Sequence, residues 1–295
     1  MKFAFLACET TLPDMPMRRV DAFEFDLQFG GLRNALETRG HTLVALDWKN
    51  EIEAFKPFDA VVVGTPWNYQ DFQSQFLDTL KAIEGLGVRL YNTAELIHWN
   101  INKSYLKDLA KLGAKTVPTR WVEKPTKHDV RAVFEEYDTS HIVLKRQVGA
   151  GSFGQKLFQR DETLPEGVLL DRPAMIQPFL PAIQTEGEYS FIFIDGAFSH
   201  ALLKQPKSGD YRIQSSYGGT EKIVSPTQAD IDVAQKNLSL IPYGMPLYAR
   251  VDLLRGYEGE LLLMELEMIE PYLYIKEGPH VSELYAEALI KRADS

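Results

Sequence analysis

Two apolar segments with charged residues at alternate positions decide the fold. They read Tyr248-Ala-Arg-Val-Asp-Leu-Leu-Arg255 and Leu261-Leu-Leu-Met-Glu-Leu-Glu267, separated by a turn that contains Gly256-Tyr-Glu-Gly259. Alternate side chains of a strand point to one face, so Glu265 and Glu267 share a face, and a hairpin brings Asp252 close to them. Three carboxylates on a buried face repel each other without a cation. We predict Mg²⁺ there, because it takes a few carboxylate oxygens and leaves positions for phosphate and water.

A second interpretation makes the same segments an edge hairpin whose acidic residues face solvent. The run Leu261-Leu-Leu-Met264 is too apolar for an exposed edge strand. The metal site is therefore the preferred interpretation.

Length and composition predict a soluble protein with more than one domain. The 295 residues exceed the usual size of one hydrophobic core, and 45% hydrophobic with 25% charged residues is typical of globular proteins. The net charge of −9 argues against a nucleic-acid or anionic-membrane partner, and no apolar run reaches the roughly 20 residues of a membrane span. The single cysteine, Cys8, cannot form an internal disulfide, which favours a cytoplasmic location. The sequence leaves a homo-oligomer open.

Residues 1–95 alternate between apolar strands and amphipathic helices. We predict strands over Phe3 to Cys8, His41 to Trp48, Asp59 to Gly64 and Val88 to Tyr91, and helices over Glu24 to Arg39 and Phe72 to Ile83. This βαβ order predicts an open parallel sheet, hence an N-terminal α/β domain. The loop after the first strand lacks the glycines of a dinucleotide fingerprint.

Residues 96–176 and 177–295 are predicted to form two α+β subdomains, the second built on antiparallel strands. The central subdomain has predicted helices over Ala94 to Leu112 and Lys127 to Tyr137, and strands over Thr116 to Val122, His141 to Val148 and Gln155 to Gln159. The C-terminal subdomain adds strands over Ala174 to Leu180, Tyr189 to Ile194 and Ala197 to Pro206, the carboxylate hairpin, and helices over Thr227 to Leu238 and Val281 to Arg292. Asp195-Gly196 predicts a tight hairpin turn.

The segment Gly149-Ala-Gly-Ser-Phe-Gly154 joins two predicted strands and matches G-x-G-x-x-G. A dinucleotide site requires a helix after this motif, and a P-loop requires Gly-Lys-Ser/Thr; neither follows here. A hairpin tip whose backbone N–H groups wrap a triphosphate remains, with Lys145 just upstream. A plain glycine-rich turn is the alternative.

These motifs resemble the ATP-grasp superfamily in order and spacing over Asn92 to Leu273. The resemblance implies ATP held between two α+β subdomains, with Mg²⁺, or alternatively Mn²⁺, bound by Asp252, Glu265 and Glu267. The usual end of the metal motif is Glu-x-Asn. Glu267 adds a negative charge there and leaves open which oxygen binds which ion.

The resemblance also assigns roles to individual residues. Phosphate contacts fall to Lys103, Lys145 and the loop residues Gly149, Gly151, Ser152 and Gly154; Gln177, Phe179 and Leu180 are similar to the strand that bonds adenine, and Glu188 to the ribose-binding carboxylate. Lys204 and Arg212 resemble the catalytic cations of glutathione-synthetase-like members, Arg250 is predicted to act with them, and Tyr217-Gly-Gly219 resembles a substrate-covering loop.

Three short segments are similar to the branch with the D-cycloserine-forming cyclo-ligase. They are Trp67-Asn-Tyr69, Trp99-Asn with Asn102-Lys103, and Glu267-Met-Ile-Glu270-Pro271. We therefore expect an ATP-dependent ligase that activates a small, amino-acid-like carboxylate as an acyl phosphate, forms a C–N bond, and releases ADP and phosphate. A small-molecule kinase on the same fold and a non-catalytic ATP-binding protein are the alternatives. Both a linear amide and a closed ring stay open as products.

Overall fold

An open sheet of four parallel strands forms the N-terminal domain. The computed structural model describes residues 1–149, 151–152, 154–214 and 217–295. The strands lie in the order β2-β1-β3-β4, with β1 at Lys2–Ala7, β2 at Thr42–Asp47, β3 at Ala60–Thr65 and β4 at Arg89–Tyr91. Helices α1 (Phe23–Glu37) and α2 (Gln73–Gly85) cover it, with short 3₁₀ turns at Ile52–Phe55 and Tyr69–Asp71. The predicted βαβ series is confirmed.

The last helix of the chain completes the core of this first domain. Helix α8 (Val281–Asp294) packs along α1, where Tyr285 joins Phe25 in one apolar cluster. Gly31 permits this close approach, because a Cβ at that position would lie 2.4 Å from the Ser282 hydroxyl oxygen. Helix α8 therefore contributes to the N-terminal core, although its position in the chain predicts a place in the third subdomain.

The predicted helix from Ala94 to Leu112 is wrong at its centre. Two helices occupy this range, α3 (Ala94–Asn100) and α4 (Tyr105–Lys111). Between them the Lys103 N–H donates to the Gln147 carbonyl at 2.8 Å, and the Asn102 side chain accepts from a backbone N–H at 2.9 Å. These contacts replace intrahelical hydrogen bonds and interrupt the helix at Lys103.

A four-stranded antiparallel sheet in the order β5-β8-β6-β7 forms the central subdomain. Its strands are β5 (Arg120–Val122), β6 (His141–Arg146), β7 (Lys156–Gln159) and β8 (Ala174–Pro178), and helix α5 (Lys127–Glu136) packs on one face. Two predicted domain limits need correction. The limit after residue 95 falls inside α3, and the limit after residue 176 falls inside β8, so the central sheet extends to Pro178.

The C-terminal subdomain is a five-stranded antiparallel sheet in the order β11-β10-β9-β12-β13. Its elements are α6 (Ala182–Thr185), β9 (Glu188–Ile194), β10 (Ala197–Gln205), β11 (Thr220–Val224), α7 (Gln228–Ser239), β12 (Tyr248–Arg255) and β13 (Leu261–Glu267). Asp195 and Gly196 have φ of 49° and 77°, as a tight hairpin requires. Within the described residues, no helix has the length and hydropathy needed to cross a bilayer.

Strand β13 lies at the edge of this sheet, yet its edge is covered. The Leu263 N–H donates to the Lys115 carbonyl at 2.7 Å, and the Leu263 carbonyl accepts from the Val117 N–H at 3.3 Å. The strand predicted over Thr116 to Val122 is divided between two sheets. Its last residues form β5 in the central sheet, whereas Thr116 pairs with Leu263 of β13. The Tyr105 hydroxyl also accepts from the Leu266 N–H at 2.7 Å. These contacts explain how so apolar a segment occupies an edge.

Candidate active site

Four charged side chains share one face of the β12–β13 hairpin. Arg250 pairs with Glu267 across the ladder, and Asp252 pairs with Glu265. The register shifts only after Asp252, beyond both charged pairs. Because side chains alternate along a strand, all four point to the same side of the sheet. The structure thus brings the three predicted metal ligands together and adds a guanidinium to them.

Arg250 bridges two of these carboxylates. Its Nε lies 3.0 Å from Asp252 Oδ1, one terminal nitrogen lies 3.0 Å from Asp252 Oδ2, and that nitrogen also donates to Glu267. Arg250 is 8% exposed and Asp252 only 3%. Burial alone would raise the pKa of Asp252, but the positive charges of Arg250 and Lys204 outweigh it and lower this pKa. Asp252 is therefore held as a buried carboxylate anion.

Two lysines extend the arrangement. Lys204 Nζ lies 3.3 Å from a Glu188 carboxylate oxygen and 3.5 Å from Asp252. Lys103 Nζ lies 2.8 Å from Glu265 and donates to the Gly149 carbonyl at 2.6 Å. Strands β9, β10, β12 and β13 and the loop after α3 thus meet at one place. We call its members the charged cluster: Lys103, Glu188, Lys204, Arg250, Asp252, Glu265 and Glu267.

The carboxylates of the charged cluster are oxygen donors, the ligand type that Mg²⁺ prefers. Within the described ranges, no three His, Cys, Asp or Glu side chains form a ready metal-binding group; Lys103 and Arg250 already bind Glu265 and Glu267. Burial raises the pKa of Glu267 to about 8 despite Arg250, so a further cation would stabilise its ionised form. The donor set fits Mg²⁺ chemically, but a metal would have to replace contacts now made by protein cations.

Lys145 lies on β6 near Glu188 and Glu265 of the charged cluster, but its side chain forms no hydrogen bond or ion pair with the described part of the chain. Burial lowers the pKa of its ammonium to about 8, although Glu188 and Glu265 oppose this shift. A lysine with a desolvated ammonium and no bound anion is suited to receive one.

The glycine loop follows β6 directly. Ala150 and Phe153 of this predicted loop lie outside the described residues. Gly151, Ser152 and Gly154 have φ of 62°, 58° and 76°, the left-handed region. At Gly154 a side chain would also collide with Arg146, whose Nε would lie 2.8 Å from the added Cβ. The backbone conformation favours glycine at that position, whereas the flexible Arg146 side chain can move away from an added Cβ.

Similarity to known proteins agrees with this geometry. A family model described as the N-terminal domain of the D-cycloserine synthetase DcsG matches residues 3–92. The chain is 27% identical to the cycloserine biosynthesis protein DcsG of Streptomyces lavendulae over 289 residues, which cover 90% of this chain and 94% of that protein.

Two solved structures share the architecture. The crystal structure of DcsG has a TM-score of 0.83 at 24% identity, covering 99% of this chain and all of its own (100%). The ATP-grasp ligase PsnB, solved with a minimal precursor, has a TM-score of 0.66 at 18% identity, covering 98% of both chains. The chain has the ATP-grasp fold. The roles of the individual site residues stay predictions.

Both main-chain groups of Phe179, in the predicted adenine strand, are hydrogen-bonded. The Phe179 N–H donates to the His141 carbonyl at 2.9 Å, and the Phe179 carbonyl accepts from the Tyr257 hydroxyl at 3.0 Å. Gln177 and Leu180 are buried. Tyr257 belongs to the β12–β13 turn and is 67% exposed. If Phe179 binds adenine as predicted, the Tyr257 hydroxyl competes for space at its carbonyl oxygen.

Arg212, a predicted catalytic residue, makes its side-chain contacts with residues outside the charged cluster. Its guanidinium binds Asp210, with N–O distances of 3.1 and 2.7 Å, and lies 3.9 Å from the centre of the Tyr217 ring. Neither partner belongs to the charged cluster. Tyr217 begins the predicted substrate-covering loop, and Ser215 and Ser216 just before it lie outside the described residues.

Four residues at the ATP-grasp site were not among the predicted site residues. Ser190 donates to Asp252 from the paired strand β9. The Tyr274 ring lies 5.8 Å from Lys204 Nζ and 5.9 Å from the Arg250 guanidinium carbon, with the unusual φ of 50°. Tyr69 interacts with Glu270 near the glycine loop. The sequence signalled Tyr69 and Glu270 through their motifs, whereas Ser190 and Tyr274 depend on strand register and backbone conformation.

Proposed function

We propose that this protein is an ATP-grasp ligase that activates the carboxylate of a small, amino-acid-like substrate with ATP and joins it to a nitrogen nucleophile. The charged cluster carries this proposal, because it gathers buried carboxylates and cations where two α+β subdomains meet, beside the uncommitted Lys145. Lys103 and Lys145 would bind phosphate oxygens. Asp252, Glu265 and Glu267 would hold Mg²⁺, which when bound neutralises phosphate charge.

The proposed chemistry has two steps. A substrate carboxylate oxygen attacks the γ-phosphorus of ATP, which forms an acyl phosphate and releases ADP. The nitrogen then attacks the acyl carbon, the C–N bond forms, and the C–O bond to phosphate breaks with phosphate as the leaving group. Lys204 and Arg250, both buried, would offset the negative charge on the transferred group. Positioning and charge neutralisation are the main tasks of the protein.

The substrate class is proposed from the relatives. D-cycloserine, the product in the name of one relative, is a cyclic amide, so its formation by a ligase joins a carboxylate to a nitrogen of the same molecule. We propose an amino acid with a nitrogen nucleophile in its side chain and a closed ring as product. A linear amide from two molecules is the alternative that the same site would support.

Product analysis tests the proposal. The protein would be incubated with Mg-ATP and a panel of D- and L-amino acids, including aminooxy side chains and their acylated forms, and ADP and phosphate would be measured. Added hydroxylamine should trap the acyl phosphate as a hydroxamate. AMP with pyrophosphate, or a stable phosphoester without phosphate release, would overturn the ligase mechanism; the phosphoester would indicate a kinase.

A further inference from the structure

A small cavity lies between the N-terminal domain and strand β13. It has a volume of about 30 Å³, room for one or two groups of the size of water. Its wall includes Tyr69 from the first domain, Lys103 and Gly149 from the predicted phosphate site, and Glu265 and Glu270 from β13 and the segment after it. The cavity thus adjoins both the predicted phosphate contacts and the N-terminal domain.

Glu270 differs from the other carboxylates at this place. Asp252, Glu265 and Glu267 each have a lysine or arginine within 3.5 Å, and Glu188 has Lys204 at 3.3 Å. Over the part of the chain that the structure describes, Glu270 has no such ion pair, and its hydrogen-bonding neighbour is the Tyr69 hydroxyl. A hydroxyl supplies one proton, whereas a carboxylate has about four acceptor positions. Glu270 therefore retains the capacity to accept a proton in the cavity.

Tyr69, which is packed in the core, positions the Glu270 carboxylate through its hydrogen bond. The tyrosine is 5% exposed, and its ring lies 5.1 Å from that of Phe76 on α2. Because Tyr69 belongs to the first domain and Glu270 to the segment after β13, their contact joins the two parts of the protein at the cavity.

We infer that Glu270 is the general base of the second step and takes a proton from the nitrogen nucleophile as it attacks the acyl phosphate. The inference rests on the proposed function. One proton moves from nitrogen to a Glu270 oxygen while the C–N bond forms, and phosphate leaves with the C–O electron pair. Burial raises the pKa of Glu270 to about 7 against the opposing effects of Tyr69 and Lys103, which suits a base near neutral pH. Tyr69 is the positioning residue.

Comparing the two steps in one variant tests this role. Glu270→Gln keeps the size of the side chain and a hydrogen-bond acceptor for Tyr69, but it cannot take the proton. We expect hydroxamate formation with excess hydroxylamine within a few-fold of wild type, because buffer can remove that proton, while formation of the natural product falls about 10²- to 10⁴-fold. Glu258→Gln in the exposed β12–β13 turn is the matched control and should retain both activities.

The outcomes separate this inference from the proposed function. Suppose that wild type turns over. Undiminished product formation by Glu270→Gln, or an equal loss of hydroxamate and product in this variant, would then overturn the role of Glu270 but not the proposed function. Wild-type protein that makes neither ADP nor hydroxamate would overturn both. Glu270→Asp keeps a carboxylate and should recover part of the product formation. Its failure to do so in folded protein would count against a base at this position.

Discussion

Arg250 and Glu267 face each other across the β12–β13 ladder, and the guanidinium that binds Glu267 also binds Asp252 on its own strand. One arginine therefore binds two of the three carboxylates that the sequence assigns to Mg²⁺. Metal binding there would require Arg250 to exchange a carboxylate for another anion, and the phosphate of the nucleotide is an anion of that kind. This coupling would bring metal and phosphate into the site together.

Asp252 should contribute mainly to the stability of the protein, and Glu265 mainly to Mg²⁺ binding. Asp252→Asn leaves Lys204 and Arg250 without their shared buried anion, so we expect a loss of roughly 3–5 kcal/mol in the free energy of unfolding. Glu265→Gln should leave stability nearly unchanged, because Lys103 keeps the Gly149 carbonyl, but should raise the Mg²⁺ requirement for ADP formation. Urea unfolding and Mg²⁺ titrations measure the two effects. Asp161→Asn, an exposed change, is the control.

Equal stability of Asp252→Asn and wild type would contradict the assignment of a buried ionic network. Glu265→Gln with wild-type activity at low Mg²⁺ would contradict its role as a metal ligand.

Lys145→Ala should weaken Mg-ATP binding roughly ten- to a hundredfold without unfolding the protein, because it removes a charge-assisted phosphate contact. The pKa of Lys145 is lowered to about 8, so wild-type affinity should fall as the pH rises through that value and the ammonium loses its proton. The variant should lack this decline. Calorimetry at several pH values provides the measurement, and Lys156→Ala on neighbouring β7 is the control. Unchanged affinity in folded Lys145→Ala would refute the phosphate assignment.

Tyr257→Phe should tighten ATP binding by up to about tenfold, because the tyrosine hydroxyl no longer competes with adenine at the Phe179 carbonyl. Calorimetric titration of wild type and variant with Mg-ATP measures the difference. Tyr243→Phe, at another partly exposed tyrosine, should have no effect. Weaker binding by Tyr257→Phe would show that the hydroxyl supports the nucleotide instead of competing with it.

His200 should make the protein less stable in mild acid. Burial lowers its pKa to about 4, and Gly278 lies so close that an added Cβ would be 2.2 Å from the imidazole Nδ1. The unfolded chain binds a proton at about pH 6.5 and the folded protein does not, so the stability that His200 contributes above that pH is lost as the pH falls toward 4. Thermal melts at several pH values give the melting temperature. Between about pH 6.5 and about 4 it should fall more steeply with falling pH for wild type than for His200→Gln. Identical slopes would exclude this effect.

Local pattern predicted much of the fold because the pattern and the tertiary structure agree there. The Val61-Val62-Val63 strand is buried on both faces and reads as a parallel-sheet strand, and the alternation in β13 places Glu265 and Glu267 together. Strand β11 was not predicted. Four of its five residues are exposed, so it lacks the apolar pattern of a buried strand, and its backbone pairing with β10 stabilises it instead. The break at Lys103 depends on the Gln147 carbonyl, a partner 44 residues away that no local pattern reveals.

The candidate site was predictable in its residue types and less so in its pairings. The shared face of Glu265 and Glu267 follows from strand alternation, and the nearness of Asp252 follows from the hairpin. Which cation binds which carboxylate depends on the register of β9, β10, β12 and β13, which is a property of the assembled sheet. Arg212 is predicted as a catalytic cation from its position in the motif, and the sequence did not reveal that Asp210, two residues before it, binds its guanidinium.

The packing of α8 against α1 has a consequence for protein synthesis. A chain emerges from the ribosome N-terminus first, and most domains can fold as soon as their own residues are complete. Here Phe25 buries its ring in a cluster that includes Tyr285, so the first domain stays unfinished until the last helix has been made. During translation the apolar face of the first domain therefore stays uncovered until Tyr285 and the rest of α8 have been made.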